Sequence, residues 1–332
     1  QGDILGVNDP YRGGNHLPDL TLVRPLYYNG EIVMFAGTRS HFVDVGGATP
    51  GSFPISDSIF SEGIRVPPVK YLSRDKENRD VKTLLLANVR TPREYWGDCE
   101  AGFAAMRVAE KRIGQLSKKY GTAAVKAAIL DYMDYTESGI RHELKNFPEG
   151  EYEGEDYIDG DGFTDNQFKV KVKVKVKDTN VYCDFTGTDK QAKGPINAVF
   201  GVTASSTINA FLHITDPELM PNHGFYRPLH VKAPSGTIVN PLFPAPVVDG
   251  NIDTAIRIIQ AIWAAMANAV PDRLIAASGG CGNNMHGGGT DPINGEYYVW
   301  NYFPVCGYGA RSNKDGWHAT IAEVGNDMDV PA

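Results

Sequence analysis

The sequence predicts an α+β fold, with antiparallel and mixed β-sheets, helical segments, and a strand-rich N-terminal part. Three observations predict it. Residues 1–95 are strand-like and rich in turns, and their apolar runs Leu20–Tyr28 and Glu31–Thr38 flank Asn29-Gly30, the dipeptide best suited to a tight hairpin. Residues 96–150 switch to a helical period. Residues 151–332 return to strands, of which Gln167–Lys177 alternates valine with lysine, and then mix strand with helix. Strands grouped before helices indicate α+β rather than a doubly wound sheet.

Taken in order, Pro25 inside the first hairpin strand removes a ladder donor and predicts an edge position. Residues 48–70 carry Pro50, Pro54, Pro67 and Pro68 with Gly51 and Gly63, a long ordered loop or covering flap. Helices are expected over Asp98–Tyr120 and Thr122–Asn146, broken at Gly121, with Thr122 as N-cap and Pro148 and Gly150 as the stop. Strands follow at Glu151–Asp159, Gln167–Lys177 and Val181–Thr186. Val170, Val172, Val174 and Val176 line one face, and the lysines form a solvated face rather than a nucleic-acid patch. Residues 198–213 and 253–270 read as helices, and Glu296–Phe303 as an aromatic strand.

A chain of 332 residues has room for a large core or for two domains. Its net charge of −8 makes nucleic acid a poor partner. The longest apolar stretch, Ala255–Val270, contains Arg257, Gln260 and Asn268; it falls short of the roughly 18–20 apolar residues that span a bilayer, so no membrane partner is expected. Cys99, Cys183, Cys281 and Cys306 are scattered without a C-x-x-C pair, which fits reduced thiols in cytoplasm. The chain opens on Gln1-Gly2-Asp3-Ile4 and reads as a piece of a longer protein.

The pattern His-x-x-Asp occurs twice, as His16–Asp19 and His41–Asp44, on either side of the hairpin. With a two-residue turn and a regular ladder, His41 faces Pro18, Asp19 faces Ser40 and His16 faces Val43, so His16, Asp19 and His41 come within reach of one another. Two imidazoles and a carboxylate suit zinc, iron or manganese, and disfavour calcium and magnesium. Asp9 and Asp44 are candidates for a further ligand, a base, or a group that orients a histidine. Spacing alone leaves open a metal site or a pair of hydrogen-bonded loop histidines. Arg12, Arg39 and Arg227 are candidates for holding phosphate or carboxylate.

Other motifs are weaker. The glycine-rich stretch Gly279–Gly289 lacks the Lys-Ser/Thr ending of a phosphate loop, and Cys281 and His286 within it read as loop residues rather than as a nucleophile and base. Asp159–Asp165 resembles a calcium loop, but Phe163 replaces a ligand and no helix precedes it. His223, His230 and His318 each read as structural.

Longer motifs carry more information. Asn8-Asp9-Pro10-Tyr11-Arg12-Gly13-Gly14-Asn15-His16-Leu17-Pro18-Asp19 and Ser40-His41-Phe42-Val43-Asp44-Val45-Gly46-Gly47 strongly resemble the hydantoinase B/oxoprolinase family. So do, in order, Pro67-Pro68-Val69-Lys70, Leu86–Pro92, Asp184–Thr188, Arg227-Pro228, Gly250-Asn251 and Asn283-Asn284. The resemblance covers the whole chain, residues 1–332, as one B-type catalytic unit, with possible subdivisions at 1–95, 96–150 and 151–332; it implies a fragment of a larger protein. It also implies a hetero-oligomer with a hydantoinase A-type ATP-binding subunit or domain. That partner uses ATP to phosphorylate the oxygen of a lactam, hydantoin or enolised ketone, a small-molecule substrate. Hydrolases of the family open 5-oxoproline, hydantoins or lactams, and relatives carboxylate acetone or acetophenone. The resemblance assigns a divalent metal (zinc, manganese or iron) to His16, Asp19 and His41, with a fourth ligand from an N-terminal segment. Asp44, Asp9 and Arg12 are expected in catalysis, and Arg39, Arg227, Asn251 and Asn283 in substrate binding. Gly13–Asp19 keeps the hydrolase-like form, which favours amide hydrolysis over carboxylation. A non-catalytic binding subunit is the contrasting reading.

Overall fold

The computed structural model describes residues 1–279, 284–302, 307–317, 320–321 and 327–328. It is α+β and divides into two compact units, residues 1–130 with 286–301, and residues 131–285 with 302–332. Asn283, Cys281, Cys306 and His318 lie outside the described residues, as does Phe303 at the end of the expected aromatic strand.

The first unit is built on a five-stranded sheet of order β3-β2-β1-β4-β5. Its strands are β1 (Ile4–Val7), β2 (Asp19–Tyr28), β3 (Glu31–His41), β4 (Val69–Ser73) and β5 (Lys76–Glu77). On β2, Leu20, Leu22, Arg24 and Leu26 are buried, whereas Asp19, Thr21, Val23 and Pro25 point to the other face. The buried face packs on α2 (Pro92–Tyr120), which supplies Tyr95, Trp96, Phe103 and Met106 to the core. Gly102 allows that approach, because a Cβ there would sit 2.8 Å from Leu22 Cδ1. Burying apolar side chains of this size is worth about 1.5–3 kcal/mol each. Arg24 is buried among them only because Asp75 and Glu110 both pair with it.

Three expectations shift here. Strand β2 is interior, not an edge; Pro25 is tolerated because β1 is short and pairs only with Thr21–Val23. Helix α2 begins at Pro92, with Thr91 as N-cap and proline at the first helical position, six residues before the periodic run at Asp98. A short helix α1 (Arg79–Leu86) precedes it, capped by Asn78. Gly121, with φ +85°, breaks α2 from α3 (Thr122–Leu144) as expected. The strands β10 (Met285–Thr290) and β11 (Tyr297–Tyr302) form a separate two-stranded ribbon.

The second unit carries a sheet of order β6-β7-β8-β9. These are Gly150–Ile158, Phe168–Lys177, Asn180–Asp184 and Leu229–Lys232. Val170, Val172, Val174 and Val176 are buried on the face covered by α6 (Ala255–Met266), itself packed on α4 (Phe200–Ile214). The opposite face pairs Lys171, Lys173 and Lys175 with Glu151 and Glu153, a solvated charge ladder. The calcium-like stretch is a β6–β7 turn in which Asp161 accepts the N–H groups of Phe163, Thr164 and Gly194. Between β8 and β9 lies α5 (His223–Tyr226). The ring of His230 stacks on Tyr182 at 4.6 Å.

Candidate functional site

The hairpin β2–β3 does not keep a regular ladder. Tyr28 pairs with Glu31 and Tyr27 with Ile32, but Leu26 then pairs with Met34. Val33 is the extra residue of a β-bulge, and it moves every later pair by one. Asp19 therefore lies opposite His41, and Leu20 opposite Ser40, in place of the expected pairings of His41 with Pro18 and Asp19 with Ser40. A one-residue slip exchanges the two faces of a strand. Here it sets the Asp19 and His41 side chains beside each other on the face away from α2.

His16 joins them through the turn that precedes β2. Asp9 caps the short helical turn Pro10–Arg12, and Asp19 N–H bonds back to the His16 carbonyl at 3.2 Å. Asp19 Oδ1 is 3.0 Å from His16 Nε2 and 2.9 Å from His41 Nδ1, and the two imidazole nitrogens are 3.3 Å apart. His16 is buried and His41 half open to solvent. The buried ring of Phe53 packs at 5.6 Å from His16 and 5.9 Å from His41. Burial pushes the Asp19 carboxyl up, but its bonds to His16 and His41 outweigh that and hold it well below the usual carboxylate range.

The donor set fits a metal ion. Its three ligand atoms all lie within 4.8 Å of one another. Bonds of about 2.0–2.1 Å to a tetrahedral ion require donor–donor edges of about 3.3 Å, close to the 2.9, 3.0 and 3.3 Å found. Asn15, which the sequence reading passed over, completes the arrangement. Its Nδ2 donates to Asp19 Oδ2 at 2.6 Å, which leaves Oδ1 for the histidines. Its signals were its place directly before His16 and within the Asn8–Asp19 motif.

The other expected residues are placed differently. Asp44 is buried: it accepts the N–H groups of Gly46, Gly51 and Arg90 and pairs with the Arg90 guanidinium at 2.9 Å. It clamps the loop after β3, and all its acceptor capacity is used there. Asp9 is likewise engaged, by Tyr11 N–H, Arg65 at 3.3 Å and Arg12 at 3.6 Å. Arg12 is solvent-exposed. Arg39 is two residues from His41 on the same face of β3, and donates to Thr21 Oγ1 at 2.9 Å and to the Gly13 carbonyl at 3.0 Å. In the second unit, Arg227 is neutralised by Asp134 and Glu137 at 2.6 and 2.8 Å. Asn251 lies in a π-helical turn, Gly250–Thr254, with a buried Oδ1 that has no hydrogen-bond partner among the described residues.

His286 on β10 is bound to the Phe53 backbone, and its ring lies 5.7 Å from that of Phe53. Burial lowers its pKa, against the smaller opposing effect of that bond. Among the described residues no helix is long and apolar enough to cross a membrane.

The family model for hydantoinase B/oxoprolinase matches residues 1–332. A protein of Methanocaldococcus jannaschii is 37% identical over 308 residues, covering 92% of this chain and 53% of its own. The caprolactamase subunit beta of Pseudomonas jessenii is 29% identical over 324 residues, covering 96% of this chain and 55% of its own. The crystal structure of the ATP-dependent caprolactamase from the same organism superposes with a TM-score of 0.89 at 28% identity, over 98% of this chain and 56% of that one. A nucleotide-free acetone carboxylase gives 0.90 at 20% identity, over 100% of this chain and 46% of that one, a likeness of fold alone. The chain spans about half the length of the curated relatives it matches. From its first residue to its last, the chain belongs to the hydantoinase B/oxoprolinase family.

Proposed function

We propose that this chain is the metal-dependent part of an ATP-dependent enzyme that hydrolyses a cyclic amide through a phosphorylated intermediate. The observation that carries the reading is the convergence of His16, Asp19 and His41 on one point. A hydantoinase A-type partner would use the ATP, and the ring would be that of a lactam, hydantoin or 5-oxoproline. An unstrained amide is a poor electrophile, and phosphorylating its oxygen turns that oxygen into a good leaving group.

His16, Asp19 and His41 would hold a divalent ion, with zinc, manganese and iron all suited to two nitrogens and an oxygen. The ion supplies Lewis acidity, for polarising a carbonyl or acidifying water. Asn15 fixes the rotation of the Asp19 carboxylate through Oδ2. Phe53 packs against both imidazoles, with His16 buried and His41 left open to solvent. The clamp of Asp44 on Arg90 and on the Gly46 and Gly51 N–H groups holds the loop that carries Phe53, so Asp44 acts by positioning. Arg39 offers the substrate a cation. Asp9 organises Arg12 and Arg65 behind the turn that presents His16. Asn251 is the candidate for substrate contact in the second unit. Cys99 and Cys183 are free and buried, as a reducing cytoplasm allows.

Hydrolysis is preferred to carboxylation because Gly13–Asp19 has the hydrolase-like form and because the caprolactamase likeness extends to sequence. Turnover in labelled bicarbonate tests it: an unlabelled ring-opened product is expected, and label in a new carboxyl group overturns the choice. A His41→Ala protein that folds and retains turnover would instead make this a binding subunit.

A further inference from the structure

We infer that Arg39 is an oxyanion subsite, and that the ligand it receives carries a short apolar body lying along β3. This rests on the metal-centre reading above and adds to it a class of ligand. Other arginines of this unit have carboxylate partners: Arg12 and Arg65 share Asp9, Arg24 pairs with Asp75 and Glu110, and Arg90 with Asp44. Arg39 is different. Its guanidinium is held by two neutral acceptors, Thr21 Oγ1 and the Gly13 carbonyl, and among the described residues no carboxylate pairs with it. A forked cation fixed in direction and left uncompensated is suited to bidentate capture of phosphate or carboxylate. The bond to Gly13 leans it toward the run Gly13-Gly14-Asn15-His16, at the side of the triad.

The register supplies the rest. Along the same face, His41 pairs with Asp19, Arg39 with Thr21, Gly37 with Val23, and Phe35 with Pro25. Successive rows are about 7 Å apart, two residues of strand. The face thus runs from the imidazole–carboxylate cluster to a guanidinium, then to a row floored by glycine, then to an exposed phenylalanine beside a proline. A Cβ on Gly37 would meet only the Leu22 carbonyl, at an ordinary 3.7 Å, so packing does not demand glycine there. The bare backbone leaves room above it for a ligand. An oxyanion at Arg39 would keep the attached carbon skeleton within reach of the cluster at one end and over Gly37 and Phe35 at the other.

The test is titration of inorganic phosphate, acetate and hexanoate into the full-length protein with its partner subunit, both metal-loaded and chelated. Arg39→Gln should weaken phosphate and acetate at least tenfold in both states, and Arg39→Lys, which keeps charge but loses the fork, should fall between. Equal affinity in the native protein and either variant overturns the subsite. Tighter phosphate than acetate identifies a phosphoryl group as the ligand's anion, and the reverse identifies a carboxylate. Hexanoate should bind at least fivefold tighter than acetate, and Gly37→Val or Phe35→Ser should remove that advantage; an advantage that survives both overturns the apolar track. Metal uptake is scored separately by chelator competition. A protein that takes up no metal sinks the metal-centre reading, while the chelated titrations still decide the role of Arg39.

Discussion

Two hairpins of this molecule use the same strand geometry to opposite ends. The β6–β7 hairpin keeps one-to-one register from Gly150↔Val176 to Ile158↔Phe168, and its outer face is a ladder in which lysines meet glutamates. The β2–β3 hairpin breaks register at Val33, and its outer face carries the His41 imidazole, the Asp19 carboxylate, the Arg39 guanidinium, a glycine and an exposed phenylalanine. The first satisfies its charges within itself and has nothing left to offer a ligand. The second leaves the Arg39 guanidinium without a carboxylate partner among the described residues, a charge open to a ligand. Charge that is not cancelled locally distinguishes a working surface from a solvated one.

The sharpest way to break this contrast is to insert one alanine between Phe35 and Ala36, after the bulge. The added residue should move Asp19 opposite Ser40 and abolish metal uptake, read by chelator competition against native protein. Direct removal of a ligand by Asp19→Ala should weaken metal binding by more than the roughly 10–100-fold that loss of an outer partner costs. Asn15→Ala should fall inside that roughly 10–100-fold range, with the metal-free melting temperature nearly unchanged.

The second unit provides a pH probe. Burial raises the Asp161 carboxyl, but bonds from the N–H groups of Gly194, Phe163 and Thr164 outweigh it and hold it below its ordinary value. A depressed folded pKa stabilises the fold above the unfolded value of about 3.9, and this is lost as pH falls through the folded pKa. Asp161→Asn should therefore cost about 1–3 kcal/mol near neutrality and flatten the acid limb, as urea unfolding at several pH values would show. The smallest effect is expected from Lys173→Gln, within about 0.5 kcal/mol, since its partners Glu151 and Glu153 are exposed.

Much of the cluster is legible in the sequence because its signals are local. Asn29-Gly30 fixes the turn, and the two histidines and Asp19 sit close to it along the chain. The valine–lysine alternation gives β7 and its buried face for the same reason. What escapes reading is set at long range. Nothing in Ile32-Val33-Met34 marks the bulge, because any of these apolar residues can be the extra one. Asp44 looks like the second half of a repeated motif, yet Arg90, far along the chain, occupies it. The early start of α2 had a visible sign in Thr91-Pro92, overshadowed by the stronger periodicity after Asp98.

The bulge at Val33 also imposes a parity rule on how the hairpin can change length. Between the bulge and the turn, Tyr27–Ile32 touches nothing the cluster needs, so that tip can be lengthened or exchanged, for example to carry a label. Between the bulge and His41, a single inserted or lost residue inverts the strand, and only paired changes preserve which way the imidazole points.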